Sequence, residues 1–271
     1  MIYDHKFVCN EIKKFECAFT IGRSRMNREI YCIPVGNGPV NTVFAAAFHG
    51  LEFLTAAALL CFAEKYYNMK KYHSRFRVYF IPMVNPDGVD IAVNGIDPKI
   101  KNHQTILSHT GIIDFKHKWQ ANALGVDINH NFDANWEPIL FGPSPSRYGG
   151  KYPVSEPETR AVVDFLDRVK PELFIAFHSQ GKEIYYDFNG MENKRSEETA
   201  RRIAEKVGYT VSVPTGTASF GGAKDWYIKT YQRMAFTAEL GKGVNPLPED
   251  QLPEMSNDVE QICLTAMQEI I

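Results

Sequence analysis

Two histidines and one glutamate in this chain have the types and positions expected of an open metal site. His49 ends the apolar segment NTVFAAAF, and Glu52 follows three residues later, where a helix is expected to begin. A second apolar segment, ELFIAF, also ends in a histidine, His178. Two imidazoles and a carboxylate are a donor set of catalytic zinc sites, which keep one position open for water. The residues therefore predict a site for one Zn²⁺ ion, although other divalent ions can occupy such a site.

The HxxE pair alone is weak evidence, because short motifs often arise by chance. On the simpler interpretation, His49 is a core or capping histidine that binds nothing. The matching position of His178, at the end of a second predicted strand, strengthens the metal interpretation, and both interpretations stay open at this point. In an α/β sheet, ligand sites form beyond the carboxyl ends of the strands, and both histidines fall there.

The elements that must position these residues follow from the spacing of apolar side chains. Two β segments surround a polar turn within residues 15–36, and further strands are predicted over 41–48, 75–84, 172–179 and 234–241. Helices are predicted over 54–67, 155–171, 196–208 and 255–271. The motif NPDG at 85–88 is expected to form a turn, and 90–118 a long surface excursion.

Strands that alternate with helices predict an α/β fold, with a mixed, mostly parallel twisted sheet and helices on both faces. The 271 residues are 44% hydrophobic, which suffices for a large core. Because no repeat or linker interrupts the chain, we expect one domain over 1–271 that includes the N-terminal β segments (1–36).

Composition and charge exclude several classes of function. Charged residues make up 23% of the chain and leave a formal net charge of −2, so no nucleic-acid partner is expected. The longest apolar run, 53–63, is too short to span a membrane, and 1–14 has no apolar signal core, which predicts a cytoplasmic protein if Met1 is the true start. Reduced thiols are expected, because the cysteines are odd in number and never paired as CxxC: Cys9, Cys17, Cys32, Cys61 and Cys263.

Four further motifs place these residues in a larger pattern: GVDINHNF at 125–132, GGKYPVSEPET at 149–159, GGAKDW at 221–226 and TAEL at 237–240. In type and order, the motifs of residues 21–241 resemble the zinc carboxypeptidase (carboxypeptidase A-like) family. The fourteen-residue interval from Asp225 to Glu239 also matches the spacing of that family. The resemblance implies a zinc-dependent peptidase with the carboxypeptidase-like α/β fold.

The resemblance implies a role for each matching residue. The zinc ligands of the family correspond to His49, Glu52 and His178, and its general-base glutamate to Glu239. Asp127 falls on the aspartate that hydrogen-bonds a ligand histidine and so fixes its tautomer and orientation. On the simpler interpretations, Asp127 is an ordinary turn residue and Glu239 a surface charge at the end of a strand.

Several positions depart from the family pattern. The Asn-Arg pair that grips the terminal carboxylate of the substrate is Asn129 and His130 here. The arginine of HxRE is Leu51, and the arginine that directly precedes GVD in related bacterial peptidases is Leu124. The family tyrosine would align near Thr217. Because arginine is a planar, bidentate donor, these changes predict weak binding of a C-terminal α-carboxylate.

Lys224 occupies the base of the specificity pocket in the family pattern, where its charge suits a carboxylate-bearing group. With Asn129 and His130 it forms the predicted substrate-binding set, although Lys224 is equally compatible with a solvated surface lysine and His130 with a structural histidine. Bacterial members with altered carboxylate grips cleave γ-D-glutamyl-diaminopimelate bonds of cell-wall peptides. The resemblance to that branch predicts a peptide substrate of the muropeptide class.

Other functions stay open at this point. The chain is also compatible with an ordinary metallocarboxypeptidase, with an aspartoacylase-like amidohydrolase, and with a catalytically impaired module that binds zinc or peptide. GGAKDW followed by Glu239 favours a peptidase. The oligomeric state is not predicted.

Overall fold

A twisted sheet of eight strands organises the part of the chain that the computed structural model describes, residues 1–96, 103, 104, 106, 108, 114–214 and 220–270. The strands are β1 (Phe19–Arg23), β2 (Glu29–Val35), β3 (Val40–Ala46), β4 (Phe76–Ile81), β5 (Leu173–Ser179), β6 (Glu183–Tyr185), β7 (Thr210–Ser212) and β8 (Met234–Leu240). Their spatial order is β1-β2-β4-β3-β5-β8-β6-β7.

The centre of the sheet is parallel and its outer parts are mixed. Strands β4, β3, β5 and β8 pair in parallel, whereas the β1–β2, β2–β4 and β6–β8 pairs are antiparallel. Every residue of β5 is buried, as expected for a parallel strand covered on both faces. The predicted mixed, mostly parallel sheet is confirmed. Because β1 and β2 join it, we propose that 1–271 forms one domain.

Helices cover both faces of the sheet. They are α1 (His5–Ile12), α2 (Phe53–Asn68), α3 (Pro86–Asn94), α4 (Phe115–Lys118), α5 (Pro157–Val169), α6 (Ser196–Val207), α7 (Ala223–Tyr231) and α8 (Leu252–Glu269). The core on one face is built with α2, α6 and α8, and that on the other with α5 and α7. Phe174 and Ile175 of β5 enter opposite cores, because successive side chains of a strand alternate. None of the described helices has the length and apolar character needed to cross a membrane.

Two predictions of local structure are wrong. The NPDG segment is the start of α3 rather than a turn: the side chain of Asn85 accepts a hydrogen bond from Gly88 N at 2.9 Å, and Pro86 suits the first helical turn because it needs no N–H partner. The 90–118 excursion is partly helical, since it contains the end of α3 and all of α4. Most of the stretch between those helices lies outside the described residues.

Candidate metal centre and substrate cleft

The three predicted ligands lie together at one edge of the sheet. His49 follows β3, Glu52 ends the short 3-10 turn Gly50–Glu52 before α2, and His178 lies near the end of β5. Strands β3 and β5 are adjacent and parallel, so their carboxyl ends meet. One donor atom of each residue lies within 4.8 Å of the donor atoms of the other two. The fold therefore brings the predicted set to one point.

Glu52 bridges the two imidazoles. Its Oε1 lies 2.8 Å from Nδ1 of His49, and its Oε2 lies 3.0 Å from Nδ1 of His178. Nε2 of His178 is buried and has no hydrogen-bond partner among the described residues. Nδ1 of His49 and Nδ1 of His178 thus face the same buried carboxylate. The atoms that could bind a cation are these two nitrogens and a carboxylate oxygen of Glu52.

The charges of this centre suit a cation. Burial alone would lower the pKa of His49, but the carboxylates of Glu52 and Asp127 outweigh it and raise that pKa well above its usual value. Burial alone would raise the pKa of Glu52, but His49 and then His178 lower it. The carboxylates of Glu52 and Asp127 therefore stabilise positive charge at the position where a metal ion would bind. Zinc fits these residues, since it takes imidazole nitrogens and carboxylate oxygens and displaces the shared protons.

Asp127 supports one of the imidazoles from behind. Its Oδ1 lies 3.2 Å from Nε2 of His49 and accepts a hydrogen bond from Asn129 N at 3.1 Å, and its Oδ2 accepts one from Arg147 N at 2.8 Å. Burial would raise the pKa of Asp127, but His49 and then His130 hold it well below its usual range. An ionised Asp127 keeps the proton on Nε2 and leaves Nδ1 free for a metal.

Glu239 lies beside the ligands on the adjacent strand. In β8 it is the register partner of His178 on one side and of Glu183 on the other. Burial raises its pKa well above the usual value, the carboxylates of Glu52 and Glu183 add to the rise, and His49 opposes it. Its carboxylate has no hydrogen-bond partner among the described residues, and it lines a cleft. A group that accepts a proton from a bound molecule must be accessible to that molecule in this way.

The cleft has a volume of about 630 Å³. Its described lining contains one acid, Glu239, and two basic residues of α4, His117 and Lys118, and the other side chains are uncharged. The full described lining is Leu51, His117, Lys118, Gln120, Pro145, Ser146, Ser179, Gln180, Tyr185, Glu239, Val244 and Asn245. A peptide in it would lie against Glu239 and the loop that carries Glu52, the neighbour of Leu51.

The profile of the zinc carboxypeptidase family matches residues 12–261. This chain belongs to the zinc carboxypeptidase family. It is 33% identical, over 91% of its length and 67% of the relative's, to gamma-D-glutamyl-L-diamino acid endopeptidase 1 of Lysinibacillus sphaericus. It is therefore a metallopeptidase by family.

Solved structures share its fold. Bovine thrombin-activatable fibrinolysis inhibitor, solved with a tick carboxypeptidase inhibitor, superposes with a TM-score of 0.79 at 22% identity, over 100% of this chain and 97% of that one. The murein-tripeptide amidase of Escherichia coli O157 superposes with a TM-score of 0.61 at 20% identity, over 97% and 95% of the two chains. The carboxypeptidase-like α/β fold is thus confirmed.

Asn129 and His130 are held by the loop before α7. Nδ1 of His130 lies 2.8 Å from the carbonyl oxygen of Phe220, and Oδ1 of Asn129 accepts a hydrogen bond from Ala223 N at 3.1 Å. Neither belongs to the described lining of the cleft. Their substrate-binding role stays a prediction, and their contacts support a structural role.

Lys224 is buried rather than solvated, with 2% of its surface exposed. Its ammonium group forms an ion pair with the neighbouring carboxylate of Asp225 and donates a hydrogen bond to the carbonyl oxygen of Asp187 at 2.5 Å. Its charge is thus already compensated within the protein. The role of Lys224 in substrate binding stays a prediction, and the described cleft lining does not include it.

The family arginine positions are occupied in two different ways. Leu51 faces the cleft and also packs in a small apolar cluster with Phe115 and Trp119. Leu124 instead lines a separate cavity of about 530 Å³, beside Tyr148, and is absent from the described lining of the cleft. The position near Thr217 lies outside the described residues.

Sequence reasoning missed the cleft residues Lys118 and Gln120, and it assigned no firm role to Tyr185. Lys118 ends the stretch interpreted as a surface excursion, Gln120 lies two residues beyond it, and Tyr185 lies in the short strand β6. The available signal for Lys118 was that a positively charged residue lies only nine positions before Asp127. It was too weak, because nothing in the local pattern shows that this segment folds back toward His49.

Proposed function

We propose that this metallopeptidase hydrolyses the amide bond that joins the γ-carboxyl group of a D-glutamyl residue to a diamino acid in cell-wall peptides. The name of the Lysinibacillus sphaericus relative, at 33% identity, supports this substrate class. The observation that carries the proposal is the cleft itself, where Glu239 stands beside the ligand set and the described lining contains lysine and histidine but no arginine. An arginine grip on a C-terminal α-carboxylate is therefore not supported.

His49, Glu52 and His178 would hold the zinc ion. When bound, zinc polarises the scissile carbonyl and lowers the pKa of a water molecule at the site. Asp127 keeps the ring of His49 in the tautomer that this arrangement needs.

Glu239 moves the proton. Its carboxylate takes a proton from the attacking water as the water oxygen bonds to the carbonyl carbon. The same carboxyl group then delivers the proton to the amine nitrogen as the carbon–nitrogen bond breaks. Burial raises the pKa of Glu239, which makes its carboxylate a stronger acceptor for the proton of the water.

We place this reaction in the cytoplasm, on fragments of cell-wall peptide. The five free cysteines support a reducing compartment, since exposed Cys17 and Cys61 lie unpaired on the surface.

The test is the cleavage of two substrate classes by the zinc-loaded protein. L-Ala-γ-D-Glu-meso-diaminopimelate is expected to be cleaved at the γ-glutamyl bond, and hippuryl amino acids much more slowly. Cleavage of the hippuryl amino acids alone would instead show an ordinary metallocarboxypeptidase. A protein that binds zinc and cleaves neither would be a binding module.

The mechanism is tested by Glu239→Gln. This variant is expected to keep its zinc and to lose roughly 10²- to 10⁴-fold in kcat, the range of general acid–base catalysis. The control is Glu16→Gln, which changes an exposed acid that is absent from the described cleft lining. Full activity in Glu239→Gln would refute the role of Glu239.

A further inference from the structure

We propose that Lys118 binds a free carboxylate of the substrate at the wall of the catalytic cleft. It does so in place of the arginines of the family pattern, whose positions are Leu51, Leu124 and His130 in this chain. The inference rests on the proposed function and deepens it, because it names the residue that selects acidic peptides. It concerns binding rather than the bond-breaking step.

Lys118 offers a charge that no described residue compensates. It is exposed, it lines the cleft, and its ammonium group makes no hydrogen bond or ion pair with any described residue. Its neighbour His117 lines the same cleft, but Nδ1 of His117 lies 2.8 Å from a carboxylate oxygen of Asp114. Among the basic residues of the described lining, Lys118 is therefore the one whose charge is available to a ligand.

The segment that carries Lys118 is anchored to the metal loop, the stretch 49–52 between β3 and α2. The next residue, Trp119, is fully buried and packs against Phe115 with ring centroids 5.5 Å apart. Gly50 N, directly after His49, donates a hydrogen bond to the carbonyl oxygen of Gln120 at 3.0 Å. Lys118 thus stands two residues from a direct hydrogen bond to the metal loop, so its position relative to the reacting centre is set by the fold.

A substitution in the family pattern contributes to this anchor. Leu51 stands where the family has an arginine, and it packs in the apolar cluster that holds Phe115 and Trp119. A cation at position 51 could not be buried in that cluster without a partner. Leu51 instead makes an apolar contact with the segment that carries Lys118.

The chemistry of a γ-glutamyl substrate explains why a carboxylate is the partner. A γ-linkage leaves the α-carboxylate of the glutamyl residue free near the scissile bond, and the diamino acid carries carboxylates of its own. Glu239 would repel these groups, so the cleft needs a cation to bind them. A lysine ammonium group on a flexible stem suits a carboxylate at a variable distance.

The test compares Lys118→Met with Lys116→Met. Lys116 is an exposed lysine on the same helix, but it is absent from the described cleft lining, so its replacement is the matched control. For the tripeptide above, Lys118→Met is expected to raise KM roughly tenfold, as for the loss of one charge-assisted hydrogen bond, with little change in kcat. Lys118→Arg is expected to restore most of the affinity. Equal KM values for Lys118→Met and Lys116→Met would overturn the inference.

Amidated peptides identify which carboxylate is bound. In one peptide the glutamyl α-carboxylate is an amide, and in the other the carboxylates of the diamino acid are amides. Wild-type protein is expected to discriminate against one of them, and Lys118→Met to lose that discrimination. If Lys118→Met discriminates as the wild type does, the inference is wrong.

The outcome for the proposed function is separate. If the zinc-loaded wild type cleaves none of these peptides, the proposed function fails. Calorimetric titration with the uncleaved tripeptide then tests Lys118 directly: weaker binding to Lys118→Met than to Lys116→Met supports the inference, and equal binding overturns it.

Discussion

Nε2 of His49 lies 3.2 Å from Oδ1 of Asp127, while Nδ1 of the same ring lies 2.8 Å from Glu52. The two contacts fix the orientation of the imidazole from opposite sides. Because Asp127 also accepts hydrogen bonds from two backbone N–H groups, it cannot turn away without leaving them unpaired. The orientation of one predicted metal ligand therefore depends on a residue 78 positions away in the chain.

Replacing Asp127 tests this relationship. Asp127→Asn keeps the size of the side chain but removes the charge that holds the proton on Nε2 of His49. We expect zinc affinity to fall roughly 10- to 100-fold, measured by competition with a chromophoric chelator. Asp133→Asn, which alters an exposed acid paired with Lys229, should leave the affinity unchanged. Equal affinities in both variants would show that Asp127 does not support the ligand.

Removal of the metal should destabilise the native state. We expect a chelator to abolish activity and lower Tm, and added zinc to restore both, because a ligand bound only to the native state at 100 times its Kd adds about 2.7 kcal/mol to the free energy of unfolding. In His178→Ala, which lacks one donor, zinc should no longer raise Tm. A zinc-dependent rise of wild-type size in that variant would place the metal elsewhere.

Gly50 tests how tightly the metal loop fits against the segment that carries Lys118. A Cβ at position 50 would lie 2.4 Å from the carbonyl oxygen of Gly88 and 2.7 Å from that of Trp119, both in the backbone. We expect Gly50→Ala to lower the free energy of unfolding by roughly 1–3 kcal/mol, as overpacking does, and to weaken zinc binding. The control is Gly142→Ala, whose new Cβ would meet nothing within 4 Å. Denaturant titration that finds both variants equally stable would contradict this packing.

Glu158 should make stability depend on pH. Burial raises its pKa from 4.5 to about 8, Asp87 and Glu156 add to the rise, and a hydrogen bond from the backbone of Arg25 opposes it. Between these values the native state keeps a proton that the unfolded chain releases. This contribution to stability is therefore complete below pH 4.5, is lost as pH rises toward 8, and changes no further above that.

Glu158→Gln removes that titration. As pH rises across this window, the free energy of unfolding of the wild type is expected to fall relative to that of the variant, by up to about 1.4 kcal/mol per pH unit. Denaturant titrations of both proteins at several pH values measure it. Parallel pH profiles would mean that Glu158 titrates normally in the native state.

Residues whose role depends on local pattern could be predicted before any coordinates. His49 and His178 end apolar segments, and parallel strands bring such ends to one edge of a sheet. Glu239 was predicted from its spacing to Asp225 rather than from geometry. The NPDG prediction failed because Asn, Pro and Asp favour helix starts as strongly as turns, and only the following contacts of α3 distinguish the two.

The sequence by itself determined the fold class and the family and predicted a ligand set, because these are encoded in the periodicity and order of short segments. Only the tertiary structure decided which cations face a substrate. Lys224 is neutralised by Asp225 and a carbonyl oxygen, whereas Lys118 lines the cleft and pairs with none of the residues that the structure describes. The physical reason is that the availability of a charge depends on its surroundings in three dimensions, which segments distant in the chain supply.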